Sequence, residues 1–153
     1  MKRDKNTEAR NWFTQAMVEL EDAIELEKRT RFYLALFLYQ QATEKALKAF
    51  LFFKGEEELF THSVKDLIDI AVAYDKDFEK VKHVKDLDRY YIPTRYPNAI
   101  AGNVPSEFFD KPEECARAQK LARSAIELVE KKIKGAVSRP YQPSGRQQYR
   151  TKK

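Results

Sequence analysis

Two stretches of the chain, residues 1–54 and 113–134, contain neither glycine nor proline. In the first, Ala9, Phe13, Ala16, Leu20, Ala23 and Glu27 step by alternating four and three residues, and Trp12, Met17 and Ile24 widen the stripe. That period predicts an amphipathic helix over 7–28. Polar Arg29, Thr30 and Arg31 mark a turn. A second helix is expected over 32–53, and its first turns, residues 32–39, are apolar all round. A helix without a polar face must be covered on every side, so this one belongs at the centre of a bundle. Gly55 supplies its stop.

A third helix starts near Ser63, which forms a capping-box-like pair with Asp66. Val64, Leu67, Ile68, Ala71 and Val72 then follow helical spacing. A fourth, over 78–91, carries Phe78, Val81, Val84, Leu87 and Tyr91. A proline-rich loop, 92–111, precedes the last helix. There Asp110 is the expected cap, Pro112 sits near the first position, and Glu113 and Glu114 favour the positive end. Its stripe is Cys115, Ala118, Ala122, Ala125 and Val129, joined by Leu121 and Leu128. No segment alternates with period two for long. The fold predicted is all-α, an up-and-down bundle of about five helices over residues 1–134. Residues 135–153, GAVSRPYQPSGRQQYRTKK, have too little aliphatic content to fold alone and read as a disordered tail.

Composition sharpens this division. The 153 residues include 29 Lys+Arg and 24 Asp+Glu, for a net charge of +5. Arg139, Arg146, Arg150, Lys152 and Lys153 account for all of the excess, leaving 24 basic and 24 acidic residues in 1–134. A neutral body with a basic tail is a narrower signal for nucleic acid than a basic fold. The charged fraction of 35% suits a heavily charged helical surface and suggests a thermophilic source. One cysteine, Cys115, allows no internal disulfide, and its place on the buried stripe makes it inert. No apolar run is long enough for a membrane span. The N-terminus, MKRDKNTEARN, has no signal-peptide core, so a soluble cytoplasmic protein is expected.

Two places concentrate chemistry. Gln41, Glu44, Lys45 and Lys48 share one face of the second helix. They form either a solvent face or one wall of a polar cleft. The segment 88–98, DRYYIPTRYPN, packs two arginines, three tyrosines and two prolines into eleven residues. Proline stiffens its neighbourhood, so Arg95-Tyr96-Pro97 should hold a guanidinium in place for an anion at reduced entropy cost. The alternative is that Tyr96 anchors the loop while Arg95 pairs with a carboxylate. His62 stands just ahead of the third helix, where it could cap or pack. His83 lies in a Lys-rich surface stretch. There is no Gly-rich phosphate loop, nucleophile elbow or metal-ligand spacing, so no cofactor and no metal are expected.

Residues 40–49, QQATEKALKA, together with Thr61-His62-Ser63-Val64 and Tyr91 followed by Arg95-Tyr96-Pro97, resemble the prokaryotic HEPN family. The resemblance covers about residues 7–134. It implies a bundle of four or five helices that usually dimerises. It also implies work beside a minimal nucleotidyltransferase, in a toxin–antitoxin-like pair. Many members of the family are metal-independent ribonucleases marked by an Arg, four to six residues, then a His. Two such motifs meet across the dimer. Members without the motif are regarded as nucleotide- or RNA-binding, or as non-catalytic partners. Here the positions where the His would fall after Arg95 are Ile100, Ala101 and Gly102, and no His follows His83. Arg95 carries over from the motif and the His does not.

The resulting expectation is a non-catalytic, nucleotide- or RNA-binding homodimer with a nucleotidyltransferase partner. Its ligand site would be lined by Arg95, Tyr96, Glu44, Lys45, Lys48 and His62. A divergent ribonuclease using Arg95, and a helical assembly module without ligand, are the alternatives. In the tail, Arg139, Tyr141, Arg146, Tyr149 and Arg150 interleave charge and rings as single-strand RNA binders do. Five contacts at about 0.7 each give a salt slope of at most about −3.5, or roughly a hundredfold loss of affinity between about 50 and 200 mM salt. Removing residues 135–153 should therefore leave the fold intact while abolishing most salt-sensitive RNA affinity. Circular dichroism and binding titrations at two salt concentrations check both halves of this statement.

Overall fold

The computed structural model describes residues 4–102 and 104–137. Among them all regular secondary structure is helical. Helix α1 spans Lys5–Lys28, starting slightly before the expected position because the Asp4 carboxylate accepts the Thr7 N–H and caps it. It leads through a tight turn into α2, Phe32–Phe53. Thr30 adopts a left-handed φ of 59° there, and the Arg31 N–H returns 2.9 Å to the Leu26 carbonyl. At the far end of α2, Gly55 takes φ 105° while the Glu56 N–H reaches the Leu51 carbonyl, so the glycine read as a stop closes a Schellman-type cap.

Helix α2 is the central element. It packs against α1, against α3 (Val64–Tyr74), against the 3-10 segment Lys76–Tyr90, and against the last helix α5 (Pro112–Lys132). Of its 22 residues, 14 are buried, concentrated after the first turn rather than in it, and Leu34 stays exposed. Alanines make the close packing possible: Ala9, Ala16 and Ala23 of α1 and Ala118, Ala122 and Ala125 of α5 are all buried. Larger side chains fill the remaining space, with Phe50 against Phe78 at 4.4 Å between ring centres. A short helix α4 (Pro105–Phe108) lies in the proline-rich loop. After α5 the chain turns back, with Ile133 and Ala136 buried and Val137 packed on the core.

Two expectations need correction. The segment read as an α-helix over 78–91 is a pair of 3-10 helices joined at Val81, whose φ of −117° and ψ of 19° are non-helical. The apolar spacing explains this. Phe78, Val81, Val84, Leu87 and Tyr90 recur every third residue, the period at which 3-10 side chains eclipse. With three residues per turn, Tyr90 enters the core and Tyr91 is turned outwards to a half-buried position. Nor does Asp110 cap α5. Pro112 opens the helix, which makes Lys111 the cap residue and leaves Asp110 one position too early.

The start of α3 ties these pieces together. Ser63 caps it, its Oγ accepting the Asp66 N–H, as expected. The second cap comes from elsewhere in the chain: the Asp88 carboxylate accepts from the Val64 N–H at 2.7 Å, the Lys65 N–H at 3.0 Å and the Ser63 hydroxyl at 3.0 Å. Gln40 of α2 adds a longer contact of 3.4 Å. Asp88→Ala should lower unfolding free energy by about 2–3 kcal/mol, since hydrogen bonds to a charged group are worth roughly 1.5–3 kcal/mol and a helix cap about 1. Asp88→Asn, which keeps one oxygen, should lose less. Urea unfolding of the two variants measures the difference.

Candidate functional site

The site grows from one face of α2, where Phe37, Gln41, Glu44 and Lys48 follow i, i+4, i+7, i+11 spacing. Glu44 and Lys48 are each only 3% exposed, so they form neither a solvent face nor an open cleft wall. Their charges meet at 3.5 Å, and the Lys48 ammonium also lies 5.3 Å from the centre of the Trp12 ring. The other Glu44 oxygen stands 3.3 Å from Nδ1 of His62. Gln40 fixes the backbone there, donating from its amide to the His62 carbonyl at 3.0 Å.

The His62 ring is largely exposed and stacks on Tyr91, with ring centres 5.4 Å apart and planes 18° from parallel. Tyr91 also carries Arg95. The Arg95 guanidinium lies 4.5 Å from the Tyr91 ring centre and 5.2 Å from those of Phe37 and Tyr96. Its Nε donates to the Tyr91 carbonyl at 2.9 Å. Arg95 has no carboxylate partner among the described residues, and Tyr96 is 48% exposed. The alternative in which Tyr96 anchors the loop and Arg95 is neutralised therefore fails. The loop is held instead by Thr94, which is buried and donates its hydroxyl to the Tyr90 carbonyl.

The HEPN domain family matches residues 9–132. The chain belongs to the HEPN family. Its fold is shared by two solved proteins. TT1696 from Thermus thermophilus is 33% identical, with a TM-score of 0.74, over 81% of this chain and 97% of that one. ST0689, described as an archaeal HEPN homologue, is 28% identical, with a TM-score of 0.67, over 87% of this chain and 99% of that one. No curated protein matches.

In this HEPN chain the expected site residues separate into groups. Glu44, Lys48 and His62 form one continuous contact, and Tyr91 links it to Arg95 and Tyr96. Lys45 points elsewhere, to Glu19 of α1 at 3.0 Å and to Gln41 at 3.2 Å. Arg139, Tyr141, Arg146, Tyr149 and Arg150 lie outside the described residues. Phe37 was not expected in the site, and Asp88 and Tyr91, though within the singled-out segment 88–98, were not among the expected ligand residues. For Phe37 the signal was present, because it continues the Gln41–Glu44–Lys48 face by one turn.

Elsewhere, burial first and then the Glu27 carboxylate push the Cys115 thiol above its usual range, which keeps it protonated and unreactive. Among the described residues, no group of three or more His, Cys, Asp or Glu could hold a metal ion, and no helix is long and apolar enough to cross a membrane.

The two lysines should respond differently to removal. Lys48→Ala strands the buried Glu44 charge and should cost about 3–5 kcal/mol of stability. Lys45→Ala breaks a more accessible pair and should cost about 1 kcal/mol or less. Denaturant midpoints of the two variants, compared side by side, test the division.

Proposed function

We propose that this HEPN protein binds nucleotide units, free or within single-stranded RNA, without cleaving them. It does so as a homodimer acting with a minimal nucleotidyltransferase partner. The observation that carries the reading is the Arg95 guanidinium, exposed, free of any carboxylate among the described residues and braced on Tyr91, Phe37 and Tyr96. Among the described residues only Nε is used internally, which leaves both terminal nitrogens to grip a phosphate in the bidentate manner of arginine. The exposed Tyr96 ring offers a stacking surface for a base, an interaction that tolerates any sequence. The residues at 100–102 provide no base for proton transfer, which supports binding over cleavage. In support of dimerisation, the segment 92–108 exposes Ile92, Val104 and Phe108. The toxin–antitoxin-like setting rests on family resemblance.

One observation favours a second reading, a divergent ribonuclease. His62, oriented by Glu44, lies against the same tyrosine ring as Arg95. Cleavage that is lost in both His62→Ala and Arg95→Ala, and that survives metal chelation, would select it. The assembly-module reading instead requires Arg95→Ala to weaken dimerisation and leave any ligand binding unchanged.

The main reading is tested by fluorescence anisotropy with labelled single-stranded RNA and a labelled nucleotide. Arg95→Ala should weaken binding at least tenfold, the equivalent of about 1.4 kcal/mol. Stability should change by no more than about 1 kcal/mol, because an exposed cation–π contact is worth roughly that. Unchanged affinity in Arg95→Ala would overturn the proposal.

A further inference from the structure

Helices α1 and α5 leave a groove between them on a face made by neither Arg95 nor His62. It encloses about 260 Å³. Its floor is apolar, built from Met17, Leu20 and Ile24 of α1 and Ile126 of α5. Its rim is mostly acidic: Glu21, Glu127 and Glu130 stand against one base, Arg123. Glu127 and Glu130 have no ion-pair partner among the described residues. The volume falls below the roughly 300–1,000 Å³ of small-molecule pockets, and suits one or two side chains of a peptide.

The chain itself supplies such a peptide at the right end. Gln119, early in α5, donates to Glu27, late in α1, so the two helices run antiparallel. The Met17–Glu130 end of the groove is therefore where the chain leaves α5. Past Lys132 the backbone turns back onto the bundle, with Ala136 buried and Val137 on the core. The next residues, Ser138-Arg139-Pro140-Tyr141-Gln142-Pro143, bring an aromatic ring between prolines, and 138–153 carry five positive charges and no negative one. At about 3.3 Å per extended residue, four residues past Val137 can reach at most some 13 Å, while Ile126 lies about 9 Å back along α5 from Lys132.

We infer that residues 139–146 dock in this groove of the same molecule, with Tyr141 on the apolar floor and Arg139 and Arg146 against the acidic rim. Prolines at 140 and 143 restrict the free segment and reduce the entropy lost on docking. Attachment through Val137 supplies an effective concentration in the millimolar range, so modest contacts suffice. The inference does not depend on what Arg95 binds. It does give the tail's charges an internal partner with which RNA would have to compete.

The chain has two methionines, Met1 and Met17, so a methyl-labelled methionine spectrum of the full-length protein holds one reporter inside the groove. Tyr141→Ala should shift the Met17 methyl resonance by removing the ring above it. Arg139→Glu with Arg146→Glu should move it in the same direction, as should added salt on the unaltered protein. The wild-type position should not change on dilution. A Met17 resonance indifferent to Tyr141→Ala and to salt would overturn the proposal. So would a shift that grows with protein concentration, since that places the tail in a second copy.

Discussion

The Asp88 carboxylate organises the site by using both of its oxygens twice. One accepts from Val64 and Gln40, the other from Lys65 and Ser63. That exhausts the four acceptor positions of an ionised carboxylate. Its negative charge stands at the positive end of α3, where the first backbone N–H groups have no partner within the helix. A single side chain from the 3-10 segment thus fixes three elements at once: its own segment, the start of α3, and α2 through Gln40. Gln40 in turn holds the His62 carbonyl. Three residues after Asp88 comes Tyr91, the ring on which His62 and Arg95 rest. Without that anchor, the two halves of the site would belong to segments free to shift apart.

Helix type decides which tyrosine does this. In an α-helix, seven residues after Val84 and four after Leu87, Tyr91 would share their buried face. At three residues per turn the core position falls on Tyr90, which contacts Phe109 edge-on. The neighbouring ring is released to the surface. The strict three-residue recurrence of Phe78, Val81, Val84, Leu87 and Tyr90 was present in the sequence. It was legible only by counting every apolar residue, because helical stripes of period 3.6 also contain steps of three. By contrast α1, α2 and α5 were readable at once, since over twenty residues the alternation of threes and fours has no other solution.

The site was less legible than the fold for a related reason. Spacing on α2 puts Gln41, Glu44, Lys45 and Lys48 on one side, but a helix face about 100° wide can meet two neighbours. Lys45 falls on the side of α1 and is taken by Glu19, whereas Glu44 falls under His62. Which neighbour lies where is a property of the bundle and not of the helix. Asp88 was invisible as a cap because it is 25 residues from Ser63. Pro112, conversely, carried more information than the acidic residue before it, because a residue without an N–H has few places in a helix other than its first turn.

The charges around Tyr91 sort into two kinds, and the distinction bears on what the site can do. Glu44 and Lys48 are buried together, and each would be an uncompensated interior charge without the other. They hold shape. Arg95 is charged and exposed, and is kept in place by aromatic rings and a carbonyl rather than by a carboxylate. Rings attract a guanidinium without neutralising it, so its attraction for an anion survives. A positive group fixed in this way serves binding directly. For cleavage it is one of two requirements, and a missing proton acceptor typically removes 10²–10⁴-fold in rate. His62 could fill that role only while held by Glu44 and stacked on the tyrosine that positions Arg95. On the proposed reading, recognition of a phosphate comes first, and any chemistry depends on where that phosphate sits relative to His62.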